Sequence, residues 1–135
     1  MQSNSHLHIA QWLFDIKPTI NIYLISDDII RHTCENGHLH IAQWLLEIKP
    51  ILHRLFGNEW IFQLACKNGH LHIAQWLLKI NPLIDISYVN ESAFRYACRN
   101  GDLHIAQWLL QIKPTINISA DDEYAFRYAC ENGRA

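Results

Sequence analysis

The chain has 135 residues, half of them apolar and 18% charged, a composition that folds instead of staying disordered. Its 11 basic and 13 acidic side chains give a formal net charge of -2, so there is no cationic excess to displace counterions from DNA or RNA, and no nucleic-acid partner is expected. No stretch approaches the roughly 20 apolar residues of a membrane span, and Met1–His6 lacks the charged-then-apolar order of a secretory leader. An intracellular protein with no membrane partner is expected.

The first predicted element is a helix built on Leu-His-Ile-Ala-Gln-Trp-Leu, which starts at Leu7 and returns at Leu39, Leu71 and Leu103, each 32 residues from the last. Cys34, Cys66, Cys98 and Cys130 keep the same step, as do Gly37, Gly69, Gly101 and Gly133. A fixed period of this length marks a stacked array in which each unit buries its apolar face against its neighbours. The repeat divides the chain into a half unit at 1–18, whole units at 19–50, 51–82 and 83–114, and a second half unit at 115–135. The function of such an array lies on a surface.

Within 83–114, a segment rich in β-branched and aromatic residues between Pro82 and Glu91 predicts an extended arm that turns once. Ala93, Phe94, Ala97 and Cys98 then recur at helical spacing, and Asn100-Gly101 ends that helix, because glycine supplies the left-handed residue that closes it. A second helix carries Leu103, Ile105, Ala106, Leu109 and Leu110, and Pro114 stops it. Glu91 and Arg95 stand four apart in the favourable order, as do Asp27 and Arg31, and Glu123 and Arg127, so an arginine ladder on the first helices is expected to be partly neutralised.

Cys66-Lys-Asn-Gly-His-Leu-His-Ile-Ala-Gln-Trp-Leu-Leu78 resembles the ankyrin segment in which a small residue ends helix one, Asn-Gly-His turns, and an Ile/Val-x-x-Leu-Leu helix follows. Ile112-Lys-Pro-Thr-Ile-Asn-Ile118 stands where ankyrins carry Gly-Ala-Asp-Val-Asn. The departures are the 32-residue period, Pro in place of Gly, and Ala-Phe-Arg-Tyr-Ala-Cys in place of Thr-Pro-Leu-His-x-Ala. The resemblance implies an all-α, ankyrin-type solenoid of stacked helix–turn–helix repeats with projecting hairpin-like loops. The unit as a whole is similar to the ankyrin-like arrays of giant DNA viruses of amoebae, which implies a protein-binding repeat protein at work inside a host cell, in its cytoplasm or nucleus.

The residues offer little enzyme chemistry. His6/His8, His38/His40 and His70/His72 are two apart and do not share a helix face, whereas zinc-binding helices use spacings of three or four. No metal and no cofactor is expected. Four equivalent cysteines do not make one nucleophile, and there is no phosphate loop or carboxylate pair, so no enzyme is expected. The cysteines read as small buried thiols, and the tryptophans, on the apolar stripe of each second helix, as core.

The positions that vary between units carry the partner-binding expectation. At the arm tips these are Leu24, Ile25, Phe56, Tyr88 and Val89, and at the end of helix one Lys67 and Arg99. In the resemblance they line a concave face, and apolar tips rimmed by charge suit a protein partner. The incomplete ends would leave Trp12 and Leu13 uncovered on one side, and Phe126 and Cys130 on the other. The alternative expectation is therefore a structural subunit that self-associates as a homo-oligomer through its half repeats.

Overall fold

The computed structural model describes residues 5–20 and 25–133. In chain order the helices are α1 (Ser5–Ile16), α2 (Asp27–Glu35), α3 (Leu39–Ile48), α4 (His53–Phe56), α5 (Glu59–Lys67), α6 (Leu71–Ile80), α7 (Tyr88–Asn100), α8 (Leu103–Ile112) and α9 (Ala120–Glu131). Among the described residues there is no strand. α2/α3, α5/α6 and α7/α8 are helix pairs of one pattern; α1 repeats the second member of a pair and α9 the first.

The tight turn in each pair follows from its glycine. Gly37, Gly69 and Gly101 have φ of 75, 80 and 77°, the left-handed values that glycine adopts without a side-chain clash. The amide of Gly37 then bonds the carbonyl of Cys34, and that of His38 the carbonyl of Thr33, which satisfies two of the carbonyls a helix end leaves open. The same pair of bonds closes α5 and α7. Gly37 is also a close approach, since a Cβ there would lie 2.5 Å from the His70 ring of the next unit.

The core runs the length of the stack between two rows of helices. Ile30, Phe62, Ile73, Leu77 and Leu109 are fully buried, with Ala42, Ala74, Ala65 and Ala97 where helices approach. The inner row, α2, α5, α7 and α9, packs helix on helix more closely than the outer row of α1, α3, α6 and α8, so the array bows around the inner row. Cys34 and Cys66 are buried free thiols, whereas Cys98 is half-buried and Cys130 exposed.

The arms depart from the extended form read from sequence. In the unit 51–82, Pro50–Leu52 makes a 3-10 turn that runs into α4. In the next two units a single left-handed turn opens α7 and α9. Val89, Asn90 and Glu91 have φ of 54, 53 and 61°, and Asp121, Asp122 and Glu123 have 58, 53 and 61°. Left-handed backbone costs about 1–2 kcal/mol per non-glycine residue, and side chains offset it here. Arg95 donates from Nε to the Asn90 carbonyl at 2.8 Å and from Nη2 to the Val89 carbonyl at 3.3 Å, and Arg127 treats Asp122 and Asp121 in the same way. The Glu91 carboxylate accepts the amide of Asn117 in the following arm. The unit 51–82 carries Gln63 at the arginine position and has no left-handed turn, the buried Gln63 Oε1 being left without a partner, whereas the first unit keeps Arg31 there but has Ser26 extended at φ -110° and turns the arginine onto Asp28.

These bonds also correct the expected ion pairs. Arg95 does not pair with Glu91 but reaches Asp121 in the next unit at 3.6 Å, and Arg31 reaches Asp28 and Glu35 instead of Asp27. The tryptophans are corrected too. Trp44, Trp76 and Trp108 are half-buried along the edge of the core, and Trp12 is 60% exposed, because the outer helices carry their rings at the rim of the stripe.

Candidate protein-binding face

The inner helices carry four equivalent positions along the inner side of the stack whose identities differ from unit to unit, and Leu64, Ser92, Arg95 and Tyr124 among them are buried between neighbouring helices. In the first unit they are Asp28, Arg31, His32 and Glu35; then Trp60, Gln63, Leu64 and Lys67; then Ser92, Arg95, Tyr96 and Arg99; and in α9 Tyr124, Arg127, Tyr128 and Glu131. The face thus changes along the stack, from an acidic and basic network at Arg31 and Glu35 to a run of aromatic and basic residues.

That run has a regular register. Lys67 Nζ lies 4.8 Å from the centre of the Tyr96 ring in the next unit, and the Arg99 guanidinium lies 4.9 Å from the Tyr128 ring in the one after. Arg95 lies 4.7 Å from Tyr124. A cation over an aromatic face is attracted by its quadrupole, which holds the long side chain in place. The rings themselves meet: Tyr96 and Tyr124 edge to face at 6.0 Å, and Tyr124 and Tyr128 at 4.3 Å. Arg99 donates from Nη1 to the Tyr124 hydroxyl at 2.8 Å, a bond that favours its charged form and pushes its pKa up.

Of the residues singled out from sequence, Lys67 and Arg99 stand exposed on this face, and Tyr88 and Val89 are exposed at the arm. Leu24 lies outside the described residues. Ile25 is half-buried against the core. Phe56 is corrected: it is 0% exposed, because α4 turns the arm inward and sets its ring against Trp76 at 5.1 Å, edge to face. It is a packing residue and offers no surface to a partner. Trp12, Leu13, Phe126 and Cys130 are exposed at the two ends, Phe126 at 71%.

Sequence reading missed Trp60, Tyr96 and Tyr128, all on the inner face. Trp60 is 44% exposed where the other units carry Asp28, Ser92 and Tyr124. The available signal was variability at these positions of helix one, equal to that at the arm tips.

A groove of about 730 Å³ runs beneath the interhelix turns, lined by His38, His40, His70, His72, Asp102 and His104 among others. Among the described residues, no three His, Cys, Asp or Glu side chains gather in a way that could hold a metal ion. No helix of the described residues is long and apolar enough to cross a membrane.

The family pattern described as ankyrin repeats (3 copies) matches residues 30–122. Among solved structures, the X-ray structure of an ankyrin repeat family protein from Legionella pneumophila is similar, with 31% sequence identity and a TM-score of 0.67 over 78% of this chain and 32% of that one. The chain spans about a third of the length of that relative. No curated protein sequence matches it.

Proposed function

Because the chain belongs to the ankyrin-repeat family, whose repeats are generally protein–protein interaction modules, we propose that it is a non-enzymatic adaptor that holds a protein partner on its inner-helix face and exposed arm tips. The observation that carries this reading is the aromatic and basic run on the inner row, in which Trp60, Lys67 and Arg99 are exposed and Tyr96 and Tyr128 half-buried, at positions that differ between units otherwise alike. Binding energy concentrates on Trp, Tyr and Arg, which bury much area at little entropic cost. Tyr88, Val89 and Lys67 complete the surface, with Ile25 at its edge and Leu24 beside it in sequence.

The finer parts of the reading are that the partner is a host protein, that the array works inside a cell as a cytoplasmic or nuclear factor, and that it is of the giant-virus type. Four free cysteines suit a reducing compartment, where disulfides are rare. The test is capture of a partner by the wild-type chain and by Trp60→Ala with Tyr88→Ala. Loss of about 2 kcal/mol or more per hot-spot residue is expected. Undiminished capture by that variant, together with loss on substitution in the outer row, would move the site.

A second reading rests on the exposed apolar faces of α1 and α9. Trp12 and Leu13 on one, and Phe126 and Cys130 on the other, belong to complementary halves of the same unit, so the face of one copy of the chain matches that of a second. Such a head-to-tail contact grows into open strings more readily than rings. Sedimentation across concentration tests it: association should weaken in Phe126→Lys, and a monomer at every concentration would end this reading.

A further inference from the structure

We propose that the partner of the inner-helix face presents a short, extended acidic segment, with Lys67 and Arg99 receiving its carboxylates; this rests on the protein-binding reading above.

Three observations carry it. The first is that both cations are exposed and lack an anionic partner. Among the described residues, Arg31 and Arg95 meet carboxylates within 4 Å, whereas neither Lys67 nor Arg99 does. The partner that Arg99 has is the neutral Tyr124 hydroxyl, and its other donors stay available for the forked geometry of a carboxylate. The second is that both cations are already held. Each lies on a tyrosine ring of the following unit, at 4.8 and 4.9 Å, so less side-chain freedom is lost when an anion arrives than for a long cation in open solvent.

The third is the charge pattern along the stack. At the equivalent position the units before and after carry Glu35 and Glu131, and Asp121, Asp122 and Glu123 stand at the last arm. Glu35 is engaged by Arg31 and His32. The cationic window is thus two units wide and bracketed by carboxylates. A short acidic segment fits it, whereas a phosphodiester strand laid along the array would run onto like charge. Neighbouring helices pack about 8–10 Å apart, and in an extended polyproline-II chain, which advances about 3.1 Å per residue with three residues per turn, side chains three apart share a face about 9 Å from each other. The two carboxylates should therefore be three residues apart in the partner.

The experiment is selection from a random dodecapeptide library displayed on phage against the immobilised full chain, followed by fluorescence anisotropy with the synthesised peptides. Selected peptides should carry two Asp or Glu three apart. Replacing either with its amide should weaken binding about tenfold, a change of 1.4 kcal/mol. Lys67→Gln and Arg99→Gln, each checked for native circular dichroism, should weaken wild-type peptides to the same degree and leave the singly amidated peptide for that site unaffected. Peptides without acidic residues that ignore Lys67→Gln and Arg99→Gln but are lost with Trp60→Ala and Tyr88→Ala would overturn the acidic segment and leave the face intact. Peptides indifferent to all four substitutions would overturn both. An empty selection counts against the acidic segment, as does an oligothymidylate that competes as well as the peptides, which would point to nucleic acid instead.

Discussion

The His70 ring donates from Nε2 to the carbonyl oxygen of Glu35, 2.7 Å away in the preceding unit. It thereby satisfies a carbonyl at the end of α2 and ties one helix pair to the next. In the following unit Asp102 takes the place of the histidine, and an ionised carboxylate has no proton to donate. The equivalent carbonyl, that of Lys67, is instead taken by Asn100 Nδ2 at 2.8 Å, while Asn36, Asn68 and Asn132 bond within their own helices. Desolvation raises the Asp102 pKa, with the His70 charge opposing it. Asp102→His should therefore stabilise the array by about 1 kcal/mol, and His70→Ala should cost about 1–2 kcal/mol. Urea unfolding midpoints check both, and a destabilised Asp102→His would show that Asn100 already does the whole task.

The left-handed turns make a second expectation. Val89 is β-branched at φ 54° and its amide neighbours are no better placed, so a glycine there relieves strain that the arginine clamp now offsets. Val89→Gly should gain about 1 kcal/mol. Arg95→Ala should lose more than that, and it should lose less in the Val89→Gly background than in the wild-type chain. An equal loss in the two backgrounds would mean that the clamp and the turn act independently.

Phe56 and Trp76 share an edge-to-face contact but differ in burial. Phe56→Ala should cost about 3–5 kcal/mol, the range for a buried aromatic ring, and Trp76→Ala less, because its rim position already meets solvent. Acrylamide should quench Trp12 and Trp60 more than Trp44, Trp76 and Trp108. A fully quenched Trp76 with an undamaged Phe56→Ala variant would contradict the packing described.

Burial pushes the Cys34 thiol from its ordinary 9.0 to about 12, and raises Cys66 as well, with Asp102 adding to the effect there. Above pH 9 the unfolded chain releases these protons while the folded chain keeps them, so stability present below pH 9 falls as pH rises toward about 12. The loss is on the order of a few kcal/mol at the alkaline limit, at about 1.36 kcal/mol per unit. Urea unfolding from pH 7 to pH 11 should show a steep decline that Cys34→Ala with Cys66→Ala makes shallower. In native protein, alkylation should proceed in the order Cys130, Cys98, then the buried pair.

The helix pairs and their turns were legible in the sequence because they depend on local rules: a helical stripe, Asn-Gly at its end, and a period that says the stripe faces another copy of itself. The arms were not legible. A run such as Ile84-Asp-Ile-Ser-Tyr-Val reads as extended by propensity, yet Val89–Glu91 turns left-handed, held by donors from Arg95 to the Asn90 and Val89 carbonyls that lie five and six residues back. Helix spacing suggested that Arg95 meets Glu91, but a left-handed Glu91 has left the helix face that such pairing requires. Phe56 looked like an exposed tip because its equivalents are Leu24, Tyr88 and Ala120; α4 in that one unit folds it inward. The tyrosine rungs depend on contacts between units, which composition and periodicity do not specify.

All the links between units span fixed stretches of chain. Glu59 accepts the amide of Asp85 and Glu91 that of Asn117, each 26 residues on, and His70 reaches back 35 residues to Glu35. Removing or duplicating 32 residues at any point leaves a chain in which these distances are unchanged, whereas an insertion of any other length breaks each link that crosses it. Length is thus a variable of this molecule that moves in whole steps: an array longer or shorter by 32 residues reuses the interfaces already present, with no new one required.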